Sequence, residues 1–267
     1  MGTMEARRTI WAAEMLKQLE TLTSGRSLSD YKYSKDAKDA KEVKIIGVVR
    51  PSVRSYTGAD ITIDSALDDA MLLKMDQFKY IAVEIDKVDK TQSKVQMEEW
   101  ASEGAKALGD TADEYVNSLA QYADYISAST DISTTSNTKV LVSGATIALY
   151  GNNVSVKDEL FGQVNPEFYG ALRTEITSLD TDNSELRKKG IVGNYLNVNF
   201  MLDNKLYTDG TDIFNIVRTK RAIAYVEQLE EIEFFKPEKR FNEAVKILMI
   251  YGAKIVRPKE LYVMKAH

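Results

Sequence analysis

Between residues 92 and 126, apolar side chains recur at steps of four and three without a break: Met97, Ala101, Ala105, Leu108, Ala112, Tyr115, Leu119, Tyr122 and Ile126. A period of about 3.6 residues predicts one amphipathic helix. At a rise of about 1.5 Å per residue it would span about 50 Å, longer than a compact domain of this size needs, so it is expected to cross the molecule as a spar. Asp110, Asp113 and Glu114 fall on its other side. They resemble an acid–base cluster, but residues opposite an apolar stripe normally face water, and a solvated face is expected of them.

The chain has 267 residues and no cysteine. At about 150 residues per domain it divides into about two, enough to bury a core without covalent staples. The missing thiols exclude disulfide frameworks, thiolate catalysis, iron–sulfur clusters and cysteine zinc sites, and they fit a reducing cytoplasm. The one histidine is the last residue, His267. A Ser/His/Asp triad, a histidine zinc site or a histidine general base would therefore hang on a terminal residue expected to fray.

Lys and Arg number 35 against 40 Asp and Glu, a net charge of −5. The protein as a whole is not drawn to phosphate backbones, and any nucleic-acid contact must be local. No apolar run reaches the roughly 18 residues of a membrane helix, and the basic start at residues 1–8 has no apolar core behind it. Neither a signal peptide nor a membrane span is expected.

Residues 9–23 place Ile10, Ala13, Leu16 and Leu22 at helical steps, with Thr9 as N-cap and Gly25 just past the end, which predicts a short helix. Residues 27–42 are polar and crowded with charge, so they read as an extended arm with no face to bury. Residues 43–50 form a β-branched run stopped by Pro51. Residues 71–86 are again strand-like, with Phe78, Tyr80, Ala82 and less clearly Glu84 on one face; Tyr56, Thr57, Gly58 and Asp60 supply turn chemistry between the two runs. A long two-stranded excursion is the simplest picture.

Residues 131–138 are rich in Ser, Thr and Asn and read as a hinge into a second domain. Residues 166–176 predict a helix with proline in its first turn, and residues 191–199, 222–226, 231–236 and 246–256 read as strands.

No motif carries chemistry. Asp180, Asp182 and Ser184 have calcium-loop spacing, but Glu185 stands where glycine is needed and Ile191 where a bidentate glutamate is needed. The glycines of residues 144–151 are spaced too widely for a phosphate loop, and residues 190–193 hold half a dinucleotide fingerprint. Arg187, Lys188 and Lys189 are a solvated triplet, and Glu227, Glu230, Glu231 and Glu233 need not converge. What stands out is an arm and a hairpin that one domain cannot bury. Such segments find apolar partners on neighbouring copies, so self-assembly is the leading expectation.

Two passages resemble the major capsid proteins of tailed bacteriophages, whose Hong Kong ninety-seven type fold is shared with encapsulins. The first holds YTGADITIDSALDD at residues 56–69, DQFKY at 76–80, then Asp86, Asp89, Gln92 and the ADEY of an alanine-rich helix. The second holds RAIAYVEQ at 221–228 and FFKPEKRFNEAVKILMIYGAKIVRPKELYVM at 234–264, including Gly252, Lys254, Arg257 and Pro258. Residues 131–212 match only loosely, through 166–172.

The resemblance implies an α+β fold with an N-arm (1–42), an E-loop (43–86), a peripheral domain with a long spine helix (87–129), an axial domain (130–229) and return strands to the peripheral domain (230–267). It implies a virion shell protein, assembled in the bacterial cytoplasm into an icosahedral shell around packaged double-stranded DNA, with no enzymatic activity, cofactor or metal. The alternative is an encapsulin-type compartment holding a cargo enzyme. Arg50, Arg54, Tyr56 and Asp60 are the implied E-loop contacts; Lys236, Glu238, Lys239 and Arg240 are those of a peripheral-domain loop. The implied partners are other copies in pentamers and hexamers, a portal protein, DNA bound without sequence preference and, because the arm is short, a separate scaffolding protein. Lys44 and Lys74 lie near the base of the E-loop, which argues against covalent crosslinking and for non-covalent cohesion.

Overall fold

A computed structural model describes residues 25–35, 42–48, 68–85, 94–175, 191–235 and 243–267. Strands β1 (Glu42–Val48) and β2 (Asp68–Lys74) form an antiparallel ladder from Glu42↔Lys74 to Val48↔Asp68. Strand β3 (Gln77–Ile85) leads to helix α1 (Lys94–Ser118), then come helix α2 (Ser136–Gly151), β4 (Leu160–Val164) and helix α3 (Pro166–Glu175). The remaining strands are β5 (Ile191–Tyr195), β6 (Val198–Leu202), β7 (Ile213–Arg218), β8 (Ile223–Phe235), β9 (Glu243–Ile255) and β10 (Leu261–Ala266). Besides the β1–β2 ladder there is a three-stranded sheet, β3-β9-β8, and a five-stranded sheet, β10-β7-β4-β6-β5.

The inner stripe of α1 is Leu108, Ala112 and Val116, continued by Ala120 in the 3-10 turn that follows, one residue per turn and all buried. It packs on Ile247, Met249 and Tyr251 of β9, Ile223 and Tyr225 of β8, and Phe214 and Ile216 of β7. Period-two alternation turns Val217, Met264 and Ala266 to the opposite face of the five-stranded sheet. There Leu141, Val142, Ala145 and Leu149 of α2 and Phe168 and Leu172 of α3 close a second core. One sheet thus separates two apolar layers, and α1 and α2 lie on different sides of it.

Several expectations need correction. Helix α1 has 25 residues, about 37 Å, and gives way to a 3-10 turn at Leu119–Tyr122 before Ile126. Edge strand β10 offers open backbone groups: Val263 N–H donates to Tyr125 O and Ser127 N–H to Val263 O, both at 2.9 Å. Those bonds draw residues 125–127 out of the helix although the apolar period continues through them. The arm does bury a face, since Arg26, Leu28 and Ser29 are all buried, with Leu28 against Phe161 and Met201. Local polarity says nothing of partners more than a hundred residues away.

The expected strand at residues 71–86 is two strands, broken at Met75 and Asp76. Its second half leaves β1 to pair with β9, from Gln77↔Tyr251 to Ile85↔Glu243. Residues 191–199 fold back as the β5–β6 hairpin through Leu196 and Asn197, both at positive φ. The two short strands at 222–226 and 231–236 are one strand, β8, with an irregularity between Leu229 and Glu231. Strands β4 and β7 and helix α2 were not expected. Helix α2 runs through both the end of the expected hinge and the glycine-spaced stretch 144–151, and its apolar residues lie on two faces, so it has no amphipathic signature. His267 is not frayed: its N–H donates to Thr130 O, and its own carbonyl accepts from Ile132. No described helix is long and apolar enough to cross a membrane.

Candidate assembly site

Arg50, Arg54, Tyr56 and Asp60 lie outside the described residues, as do Lys236, Glu238, Lys239 and Arg240, the helix expected at 9–23 and the basic triplet at 187–189. What is described is the ground on which the two expected contact loops stand. The β1–β2 ladder leads to residues 49–67, and the β8–β9 ladder, paired as far as Phe235↔Ala244, leads to residues 236–242.

The base of the first ladder is seated on β9 and β8. Val43, Ile45, Leu73 and Met75 bury their side chains with Ala224 and Val226 of β8, while Lys254 Nζ donates to Leu72 O at 3.0 Å. Gly252 of β9 lies so close to Lys74 that a Cβ built on it would sit 2.1 Å from the Lys74 carbonyl oxygen. Gly252 and Lys254, which carry part of the family resemblance, thus hold the base of the excursion. Lys74 Nζ lies 3.4 Å from Glu42, and Lys44 is opposite Leu72, so both lysines are at the base as expected.

Beside this seat, Gly25 to Asp30 of the arm are clamped by two buried arginines. Arg26 N–H donates to Asp113 Oδ1 at 2.8 Å, and its Nη1 donates to Glu227 Oε2 at 2.7 Å. Arg218, fully buried at the end of β7, donates from Nε to Gln163 Oε1 (3.0 Å), from Nη1 to Ser29 Oγ (3.2 Å) and from Nη2 to Gly25 O (2.7 Å). Gln163 Nε2 passes the network to Asn117 Oδ1 and Asp203 Oδ2. Asp30 completes the attachment: its N–H donates to Ile223 O and its carbonyl accepts from Tyr225, which adds the arm to the free edge of β8.

Burial works against both arginine charges. It lowers Arg218 to about 10, with Asp113 and Asp203 opposing, whereas for Arg26 the Glu227 carboxylate leads the groups that hold its pKa above the ordinary value. Asp113 is therefore no solvated carboxylate. Burial pushes it up to about 7 against the N–H and charge of Arg26, and Asp203 and Asp110 add repulsion. Asp110 and Glu114 do stay at the surface, paired with Lys205.

Because folded Asp113 holds a proton that the unfolded chain releases near pH 4, its contribution to stability is present below about pH 4 and is lost as pH rises through about 7. Asp113→Asn keeps an acceptor for Arg26 and cannot titrate. Urea midpoints measured from pH 4 to 7.5 should fall less steeply with pH in this variant than in the parent, and parallel profiles would refute the assignment.

Ser129 Oγ and Asp212 Oδ1 both approach His267 Nδ1 at 3.1 Å, and the serine hydroxyl donates to Asp212 at 2.6 Å. A relay through imidazole needs its two nitrogens on two different partners, which this cluster does not provide. Among the described residues no group of three or more histidines or carboxylates could hold a metal ion. Sequence reasoning missed the arginine clamp. Its only local trace is an arginine closing the apolar run of β7 and an asparagine beside the apolar stripe of α1.

No family model and no curated protein sequence matches the chain. Solved structures do. A structure from Mycobacterium phage Che8 matches at 26% identity and a TM-score of 0.74, covering 91% of this chain and 90% of its own. The capsid of cyanophage P-SCSP1u matches at 15% identity and a TM-score of 0.70, covering 93% and 89%. The holo-SrpI encapsulin complex of Synechococcus elongatus PCC 7942 matches at 11% identity and a TM-score of 0.60, covering 91% and 88%. Phage capsids predominate over encapsulins among the similar structures, and the chain has the Hong Kong ninety-seven type fold.

Proposed function

We propose that this chain is the major capsid protein of a tailed phage or phage-like particle, whose copies self-assemble into an icosahedral shell around packaged double-stranded DNA. The observation that carries this is agreement in fold along nearly the whole chain with phage structures, the cyanophage capsid among them, both at higher identity and TM-score than the encapsulin. An encapsulin-type compartment holding a cargo enzyme is the second reading; the encapsulin likeness supports it at lower identity and TM-score. The role is assembly, not catalysis.

In this reading residues 1–42 are the N-arm, 43–86 the E-loop, 87–129 the peripheral domain with its spine, 130–229 the axial domain and 230–267 the return strands. Arg50, Arg54, Tyr56 and Asp60 reach an adjacent copy from the E-loop tip, and Lys236, Glu238, Lys239 and Arg240 meet other copies from the second loop. The partners are copies of the chain in pentamers and hexamers, a separate scaffolding protein, a portal protein and DNA contacted without sequence preference. Assembly takes place in the host cytoplasm, and the product is the virion shell.

Negative-stain electron microscopy of the protein, alone and co-expressed with a candidate scaffolding protein, tests this. Closed shells or capsomer rings are expected, and only monomers under both conditions would sink the reading. DNA inside particles supports the phage head, whereas an enzyme inside supports the compartment. Deleting residues 56–61 should leave a folded subunit that fails to close shells, and closed particles of normal size would show that the E-loop tip has no such role.

A further inference from the structure

Helix α2 turns one apolar face into the second core and two further apolar side chains, seven residues apart on its other side, to solvent. On that outer face Val140 and Ile147 are each 69% exposed, and Lys139 is the only charged residue in the 16-residue helix. An outward surface helix normally carries its charges there, so this face is built for cover. Further exposed apolar residues lie past the end of the helix. Asn197 Nδ2 donates to Tyr150 OH and Val156 O, which brings the β5–β6 turn beside Val156, 72% exposed, and places the exposed Leu196 next to them. Leu196 has φ +50°, a left-handed conformation that costs a bulky L-residue energy and that turns usually give to Gly or Asn. The chain thus holds a leucine outward at a hairpin tip against its own backbone preference.

The size of the patch bears on what covers it. Four side chains exposed to this degree present on the order of 400 Å², about half of the ~800 Å² per partner that a free-standing interface buries. Such a patch holds a partner only where other contacts already keep that partner close. Neighbouring copies in the proposed shell, held to one another through the two contact loops, would meet that condition.

We propose that the outer face of α2, with Val156 and the Leu196 tip, is covered by a second copy of this chain in the assembled particle. This rests on the assembly reading above. Because the chain has no cysteine, a single introduced thiol reports its own surroundings. Ile147→Cys is labelled with a small maleimide in dissociated subunits and in purified particles, and the double variant Val140→Lys with Ile147→Lys is assayed for assembly.

Labelling of Cys at position 147 is expected to slow at least tenfold in particles, and the double lysine variant is expected to unfold at the parent's midpoint yet give at least tenfold fewer particles. Unchanged labelling together with normal particle yield would overturn the proposal while leaving the assembly reading intact. Protection that appears only when a different protein is co-assembled would assign the face to that protein and also overturn it. Failure of the unsubstituted chain to form particles would instead strike the assembly reading itself.

Discussion

Gly252→Ala is expected to destabilise the subunit by about 3 kcal/mol or more and to abolish shell formation, a larger effect than one methyl group usually has in a packed site. The new Cβ would meet the Lys74 carbonyl oxygen at 2.1 Å, its carbon at 2.9 Å and the Met75 Cα at 3.0 Å. All three are backbone atoms, so no rotamer change relieves the clash. Either β9 moves away from α1, opening the core at Met249 and Tyr251, or the base of the β1–β2 ladder lifts from its seat and Lys254 loses the Leu72 carbonyl.

Gly170→Ala is the matched control. It lies within α3 and its Cβ would meet nothing within 4 Å, so that change should be neutral or stabilising by up to about 1 kcal/mol. Urea unfolding of the two variants side by side separates a specific collision from a general intolerance of alanine for glycine. Equal midpoints would show that the seat at Gly252 yields.

Arg218→Ala is expected to cost about 3 to 5 kcal/mol, the range for breaking a buried charged network by removing one member. Its guanidinium serves three acceptors that water does not reach, and two of them, Gly25 O and Ser29 Oγ, belong to the arm. The loss should therefore be readable at the arm itself. In the parent, Arg26 is 1% exposed and its peptide bond is out of a protease's reach; in the variant, trypsin should cut after Arg26 within minutes under native conditions. Arg218→Lys restores a charge but not the planar fork, so it should fall between the two. An arm that stays uncut in Arg218→Ala, with an unchanged unfolding midpoint, would show that β8 pairing at Asp30 holds it alone.

How much of this was legible depends on how far each signal reaches along the chain. The inner stripe of α1, the pairing of residues 43–48 with a later run, the helix at 166–175 and the long apolar strand β9 were all visible, because a period of 3.6 or 2 is written by residues a few positions apart. Helix α2 was not visible, since the apolar residues on its outer face erase the contrast that marks a surface helix. The helix expected to reach Ile126 stops earlier because an edge strand from the far end of the chain supplies hydrogen bonds to residues 125–127, and no local pattern encodes that. The candidate contact residues of the two loops were assigned by resemblance alone.

By itself the sequence determined what this protein cannot use and what it is built around. With no thiol and one terminal histidine, thiolate chemistry is excluded and histidine chemistry is confined to one position, while one long helix, a two-stranded ladder and two stretches of family likeness carry the resemblance in fold. Only the tertiary structure decided that Gly25 to Asp30 of the arm are anchored and that Asp113 is a buried carboxyl. It also assigned Gly252 to the seat of the ladder. The reason is distance along the chain: Arg26 meets Glu227 across 201 residues and Gly25 meets Arg218 across 193. Whether a charge is solvated or buried is set by such partners, which local composition does not name.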